Sequence, residues 1–222
     1  EQQAIRDSVI IEDGKVWVDV PFTKDPDTFL TKRHHGNSNR AQAMKVYRTQ
    51  CRHPDKLKDG MRKVHSDLVE QGFIIQLADL PEETQRLIEE GAFHHFMPWR
   101  IVEKTDSIST SIRMVVDPTM TGLNIILPKG ENNLGRMNDI LIRARVGEYL
   151  WTTDIKKMYN QLNMRPSSYR FQLMLYDDEL DPNSTPETWV MKTAWYGVTS
   201  SGNQAGDAVN QLKEENKEKH PH

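Results

Sequence analysis

Trp151-Thr152-Thr153-Asp154-Ile155-Lys156-Lys157-Met158-Tyr159-Asn160-Gln161-Leu162 is the stretch on which the fold turns. Its first half, Leu150 to Ile155, has the composition of a buried strand, and it delivers a carboxylate, Asp154, to the strand end. Five residues later comes an aromatic, Tyr159, and two further on a polar amide, Gln161. A carboxylate at a strand tip offers the hard oxygen ligand that Mg²⁺ takes, with positions left open for phosphate oxygens. The aromatic has the spacing to wall the space beside a sugar. Alone, the pattern is a weak signal, since a strand-end aspartate is more often a cap or turn residue and the tyrosine fits a core position.

Working outward, Ser111 to Val116 forms a second strand of a hairpin with Arg100 to Glu103, turned at Lys104-Thr105-Asp106-Ser107. Residues 117–135 are broken by Pro118, Gly122, Pro128, Gly130 and Gly135, and read as a long loop region. Asn138 to Tyr149 reads as a helix. Downstream, Phe171 to Tyr176 and Trp189 to Thr193 form a strand pair around an Asp/Pro/Asn-rich connection, and a helix with a charged tail follows Gly197.

Toward the N-terminus, Val16 to Val20 is a short strand after the Asp13-Gly14 turn signal, and Ser38 or Asn39 caps the next helix. Residues 40–71 read as one or two helices, with Leu57, Met61, Val64 and Leu68 as an apolar stripe at helical period. Phe73 to Ile75 is a strand, Leu80 to Glu90 a short helix closed by Gly91, and His94 to Pro98 is strand-like. Between Lys32 and Lys63 stand ten Lys and Arg against two acids, Asp55 and Asp59. Such a run is either a solvated face or a surface for a nucleic-acid backbone.

Composition sets the outer limits. A net charge of −3 does not announce a nucleic-acid ligand, so any basic surface is local. The single cysteine, Cys51, excludes an internal disulfide framework and a cysteine-based zinc site, and fits a reducing compartment. No apolar run approaches the roughly 20 residues that span a bilayer, so no membrane partner is expected. The start, Glu1-Gln2-Gln3, lacks a signal pattern, and the chain reads as a piece of something longer. His34-His35 and His94-His95 are adjacent pairs that point to opposite faces of a strand, a poor metal arrangement. A protease Asp-Thr/Ser-Gly motif and a phosphate-binding Gly-x₄-Gly-Lys-Ser/Thr loop are both absent.

Four blocks stand in a fixed order. They are Arg113-Met114-Val115-Val116-Asp117-Pro118; then Gly122-Leu123-Asn124 with Leu127-Pro128-Lys129-Gly130; then the Asp154 block; and finally Trp195-Tyr196-Gly197-Val198-Thr199-Ser200-Ser201-Gly202. In that order they resemble the reverse transcriptase of Bel/Pao-type LTR retrotransposons, over about residues 10–210. The resemblance implies an α+β, right-hand polymerase fold. It divides the chain into an N-terminal lead-in (1–39), fingers (40–125), first palm part (126–162), fingers return (163–192), and partial palm with charged tail (193–222).

The resemblance also implies an activity, RNA-directed DNA polymerisation, and roles for single residues. Asp154 matches the first metal-binding aspartate, and the Ile155 backbone carbonyl would face the same metal. Two Mg²⁺ ions would serve the intact enzyme. Tyr159 matches the aromatic gate beneath the incoming sugar, and Gln161 the polar residue of that turn. Arg113 matches the arginine that grips the triphosphate, with Lys104 as a weaker candidate. Tyr196 and Gly197 match the aromatic-Gly pair that lies against nucleotide and template base. The implied partners are an RNA or DNA template with primer, a dNTP, and downstream RNase H and integrase domains of one polyprotein in a cytoplasmic retrotransposon particle. Gly202 stands where the family carries Pro, and Val116-Asp117-Pro118-Thr119 stands for Phe-Asp-Ala-Ser. The chain ends before a Tyr-x-Asp-Asp hairpin, so the expectation is that it does not turn over alone. Tyr176-Asp177-Asp178 lacks the intervening residue and reads as structural. The alternative is a degenerate or repurposed retroelement piece that only binds nucleic acid.

Overall fold

The computed structural model describes residues 1–103, 112–131, 137–146, 148–149 and 152–217. A short helix, α1 (Gln2–Asp7), leads into a hairpin that the Asp13-Gly14 turn makes possible. Both turn residues hold positive φ, 51° and 70°, which suits the tight turns that join antiparallel strands. The turn joins β1 (Val9–Glu12) to β2 (Lys15–Val18), with Glu12 opposite Lys15.

Next comes α2 (Pro26–His34), a helix the sequence reading passed over. Its start is well signed: Asp25 accepts the Thr28 N–H at 2.8 Å and Pro26 occupies the first turn. The expected pair of helices follows as α3 (Arg40–Gln50) and α4 (Asp55–Glu70). Met61 and Leu68 of the expected stripe are buried, and Leu57 and Val64 pack against the same core. Asn39 precedes α3 but does not cap it. Its side chain brackets Phe96 instead, donating to the carbonyl at 2.8 Å and accepting the N–H at 2.6 Å.

The middle of the chain supplies β3 (Ile74–Gln76), α5 (Glu82–Glu89) and the hairpin of β4 (Trp99–Glu103) and β5 (Ile112–Val116), paired from Trp99↔Val116 to Glu103↔Ile112. The expected turn at 104–107 lies outside the described residues. After β5 come α6 (Pro118–Thr121), capped by Asp117 through the Met120 N–H, and α7 (Met137–Ala144). The last elements are β6 (Leu162–Met164), β7 (Leu173–Tyr176), β8 (Glu187–Met191) and α8 (Ser201–Asn216).

Among the described residues the strands make three small sheets, ordered β1-β2-β6, β3-β8-β7 and β4-β5, so the class is α+β. In the first sheet β2 runs parallel to β6, which places the N-terminal hairpin beside the segment that follows Asp154. Two apolar cores result. One gathers Tyr47, Met61, Trp99, Met114, Tyr176 and Trp195; the other gathers Val18, Leu162, Met164, Leu173, Val190 and Ala205. Trp99 is fully buried and still satisfied, its indole N–H donating to the Leu175 carbonyl at 2.7 Å.

Three expectations need correction. Thr152 to Ile155 is not a strand: all residues from Thr152 to Lys157 are exposed, so no burial offsets the cost of holding them extended. The helix expected over 138–149 ends at Ala144, and Arg145-Val146 form a turn. His94 to Pro98 is not a continuous strand, since only the isolated bridges Ser38↔His94 and Phe96↔Leu173 form there. No helix among the described residues is long and apolar enough to cross a membrane.

Candidate functional site

The segment Thr193 to Asn203 is where the sequence blocks meet. Its first residues align along the Asp154 block: Asn160 donates to the Thr193 hydroxyl at 3.0 Å, and the Ala194 N–H donates to the Leu162 carbonyl at 2.9 Å. Tyr159 lies half-buried against the second core, and its hydroxyl stands 3.9 Å from where a Cβ on Gly202 would be. The block's turn is tight because Lys157 adopts the left-handed conformation (φ 52°) before the short 3₁₀ turn Met158–Gln161. Lys157 is tied down, its ammonium 2.7 Å from the Gln71 amide oxygen and over the Phe73 ring.

Strand β5 meets the same segment from another side. The Tyr196 hydroxyl donates to the Met114 carbonyl, next to Arg113. Burial pushes the Tyr196 phenol up, and the nearby Arg113 charge opposes that shift. Arg113 itself is exposed and lies opposite Val102 in the hairpin. Gly197 holds φ 96° and packs so close that an added Cβ would meet the Val116 carbonyl at 3.0 Å. Only glycine satisfies both demands.

The second block closes the arrangement through Asn124, to which the sequence pattern assigns no role. Its amide donates to the Gly197 carbonyl at 2.9 Å and to the Thr119 hydroxyl at 2.8 Å, while its oxygen accepts the Thr199 N–H at 3.0 Å. One side chain thus fixes the turn after Tyr196 to the segment after β5. Further along, Asn203 donates to the Lys129 carbonyl. Nothing local marks Asn124 for this role, because its partners lie up to 75 residues away.

Arg113, Tyr196 and Gly197 therefore come together, and Tyr159 stands beside the same segment. Gln161 is exposed and its amide closes its own turn, donating to the Lys156 carbonyl at 3.2 Å. Asp154 is exposed, and Ile155 is 45% exposed, on the stretch leading into that turn. Among the described residues, no hydrogen bond or ion pair engages the Asp154 carboxylate. Lys104 lies outside the described residues.

An exposed carboxylate is the donor type that a hard divalent cation takes, and Asp154, unpaired among the described residues, fits Mg²⁺ as one ligand. It does not make a complete site: among the described residues, no three His, Cys, Asp or Glu side chains are placed to share an ion.

Two buried histidines, His95 and His65, serve structure. His95 is fully buried between the Phe171 carbonyl (3.0 Å) and the Thr121 hydroxyl (2.7 Å), and burial lowers its pKa to about 4. His65 stacks on Tyr176 with centroids 3.6 Å apart, and burial likewise lowers it to about 4. Asp177 accepts from the Tyr47 hydroxyl at 2.7 Å, from the Ser184 hydroxyl and from the Leu180 N–H. It is committed to holding the loop between β7 and β8. Cys51 is buried, and burial pushes its thiol up, away from nucleophile chemistry.

Neither a scan against models of protein families nor a search of curated proteins finds a match to this chain.

Proposed function

We propose that this chain is the fingers and first palm part of a right-hand polymerase of the Bel/Pao reverse transcriptase type. In that reading it supplies nucleotide-binding residues and one metal ligand for template-directed DNA synthesis. The observation that carries the reading is the meeting of distant blocks: β5, Asn124 and the Tyr159 turn all contact residues 193–203. The ordered sequence blocks resemble that family, and their contact in space is what a shared site requires.

The reaction joins a primer 3′-hydroxyl oxygen to the α-phosphorus of a dNTP. The bond to the β-phosphate breaks, pyrophosphate leaves, and the hydroxyl proton passes to solvent. Asp154 and the Ile155 carbonyl would hold Mg²⁺, which when bound neutralises charge on the attacking and leaving oxygens. Arg113, exposed beside Tyr196, binds the triphosphate. Lys104 is a further candidate for that contact. Tyr159 walls the sugar, Gln161 borders that turn, and Gly197 lets backbone approach the base because no side chain intervenes. Catalysis here is positioning plus fixed charge.

The second reading is a retroelement remnant that binds nucleic acid without chemistry; what favours it is that, among the described residues, no three-ligand cluster includes Asp154. Primer extension separates the two. A polypeptide that carries this chain through the remaining palm carboxylates is expected to extend a primer with Mg²⁺ and dNTP, and Asp154→Asn to abolish extension. Extension at the parent rate in the Asp154→Asn variant would refute the role of Asp154.

A further inference from the structure

Four of the ten cations of the 32–63 segment are spent locally, which the sequence could not show. On α4 Lys56 pairs with Glu103 at 3.0 Å, Lys58 with Asp55 at 3.0 Å and Arg62 with Asp59 at 2.6 Å, while Lys63, like Lys32 of α2, is exposed. Arg33 of α2 is spent on the Thr121 carbonyl at 3.0 Å. On α3, and at Arg52 in the turn just after it, the cations are left open. Its sequence, Arg40 to Gln50, contains no acid, and among the described residues no carboxylate pairs with Arg40, Lys45, Arg48 or Arg52. All four are exposed. The opposite face, Ala43, Val46, Tyr47 and Gln50, is buried, so at about 100° per residue Lys45 and Arg48 lie about 60° apart on the open side, with Arg40 at its flank.

We infer that this face of α3 is a docking surface for the phosphodiester backbone of a nucleic acid. The helix is held firmly from behind: Gln50 accepts the Ile101 N–H at 2.9 Å, Tyr47 donates to Asp177, and Asn39 brackets Phe96 at the N-terminal end. So fixed a support spares the cost of ordering the backbone on binding. No large apolar side chain between Arg40 and Arg52 is exposed, which disfavours insertion into a lipid interface or an apolar partner surface. What remains is charge repeated along a line, in a chain whose total is −3, and a polyphosphate strand is its complement. The N-terminal end of the face adjoins α6, where Gln42 reaches the Met120 carbonyl at 3.4 Å. A strand lying along α3 therefore leads toward the corner held by Asn124. The surface acts whether or not Asp154 holds a metal.

The test is the salt dependence of binding to a labelled RNA–DNA hybrid, read by fluorescence anisotropy. Replacing Lys45, Arg48 and Arg52 together by Gln keeps helix propensity nearly constant, and far-UV circular dichroism verifies the fold. Each lost phosphate contact flattens the plot of log K against log salt by about 0.9, so the triple variant is expected to be shallower by about 2.7. The control pair Lys56→Gln with Lys58→Gln is expected to leave the slope unchanged. Binding is read without Mg²⁺ or dNTP, which separates this surface from the proposed metal site. Absence of hybrid binding by the wild-type chain at low salt would overturn the inference. So would an equal loss in the control pair, or an effect of the triple variant confined to phosphatidylserine vesicles.

Discussion

Replacing Asn124 by Ala should loosen the turn after Tyr196 without touching the apolar core. Three hydrogen bonds are lost, and their cost differs by exposure. The Gly197 carbonyl and the Thr119 hydroxyl belong to exposed residues and regain water, so each costs about 0.5 kcal/mol. The Thr199 N–H is half-buried and is left poorly satisfied, at about 1–1.5 kcal/mol. The total is about 2 to 2.5 kcal/mol. With a urea m-value of about 3 kcal/mol/M, near the top of the small-protein range, the midpoint falls by about 0.7 M. Tryptophan fluorescence follows the global transition, because Trp195 and Trp99 are both buried in the first core. Amide exchange gives the local readout: the Thr199 N–H should exchange faster in the variant. An unchanged urea midpoint together with unchanged exchange at Thr199 would show that Asn124 does not hold this turn.

Other perturbations address separate parts of the structure. Gly197→Ala must place a Cβ at φ 96° and 3.0 Å from the Val116 carbonyl, and should destabilise by about 1–3 kcal/mol in thermal melts; a melt like wild type would contradict that geometry. His65 and His95 have folded pKa values of about 4, below the ordinary 6.5, so the unfolded chain binds more protons between those values. Stability should therefore be complete above pH 6.5 and fall on acidification toward pH 4, by up to about 1.4 kcal/mol per pH unit for each histidine. His65→Phe, which keeps the stack on Tyr176, should flatten its share of that slope in denaturation curves taken across the range. In a polymerising polypeptide, Arg113→Ala should raise the KM for dNTP about tenfold, and an unchanged KM would count against the triphosphate contact.

Periodicity and turn chemistry made much of the fold readable. The Leu57–Leu68 stripe located α4, Asp13-Gly14 located the first hairpin's turn, and Gly91 closed α5. Helix α2 was missed because Leu30 is its only buried residue, which leaves almost no periodic signal; its Asp25-Pro26 start was the available clue. Thr152–Ile155 was misread because β-type composition describes what a segment tolerates, whereas strand formation depends on a partner and on burial, and these residues are exposed. At the site, Arg113, Tyr159, Tyr196 and Gly197 could be singled out one at a time. Their contacts could not, because Asn124 and Asn160 reach partners far away in sequence. The basic segment shows the same limit: its charge was visible, but the pairing of Lys56, Lys58 and Arg62 depends on where Asp55, Asp59 and Glu103 fall in space.

The most direct test of a nucleotide–metal site is paramagnetic broadening of amide signals in the isotope-labelled chain on titration with Mn²⁺ and a dNTP. Broadening should centre on Asp154 and Ile155, reach Arg113 and Gly197, and disappear in Asp154→Asn while the rest of the spectrum is preserved. Broadening that is absent, centred elsewhere, or indifferent to Asp154→Asn would contradict the placement of a nucleotide beside this carboxylate.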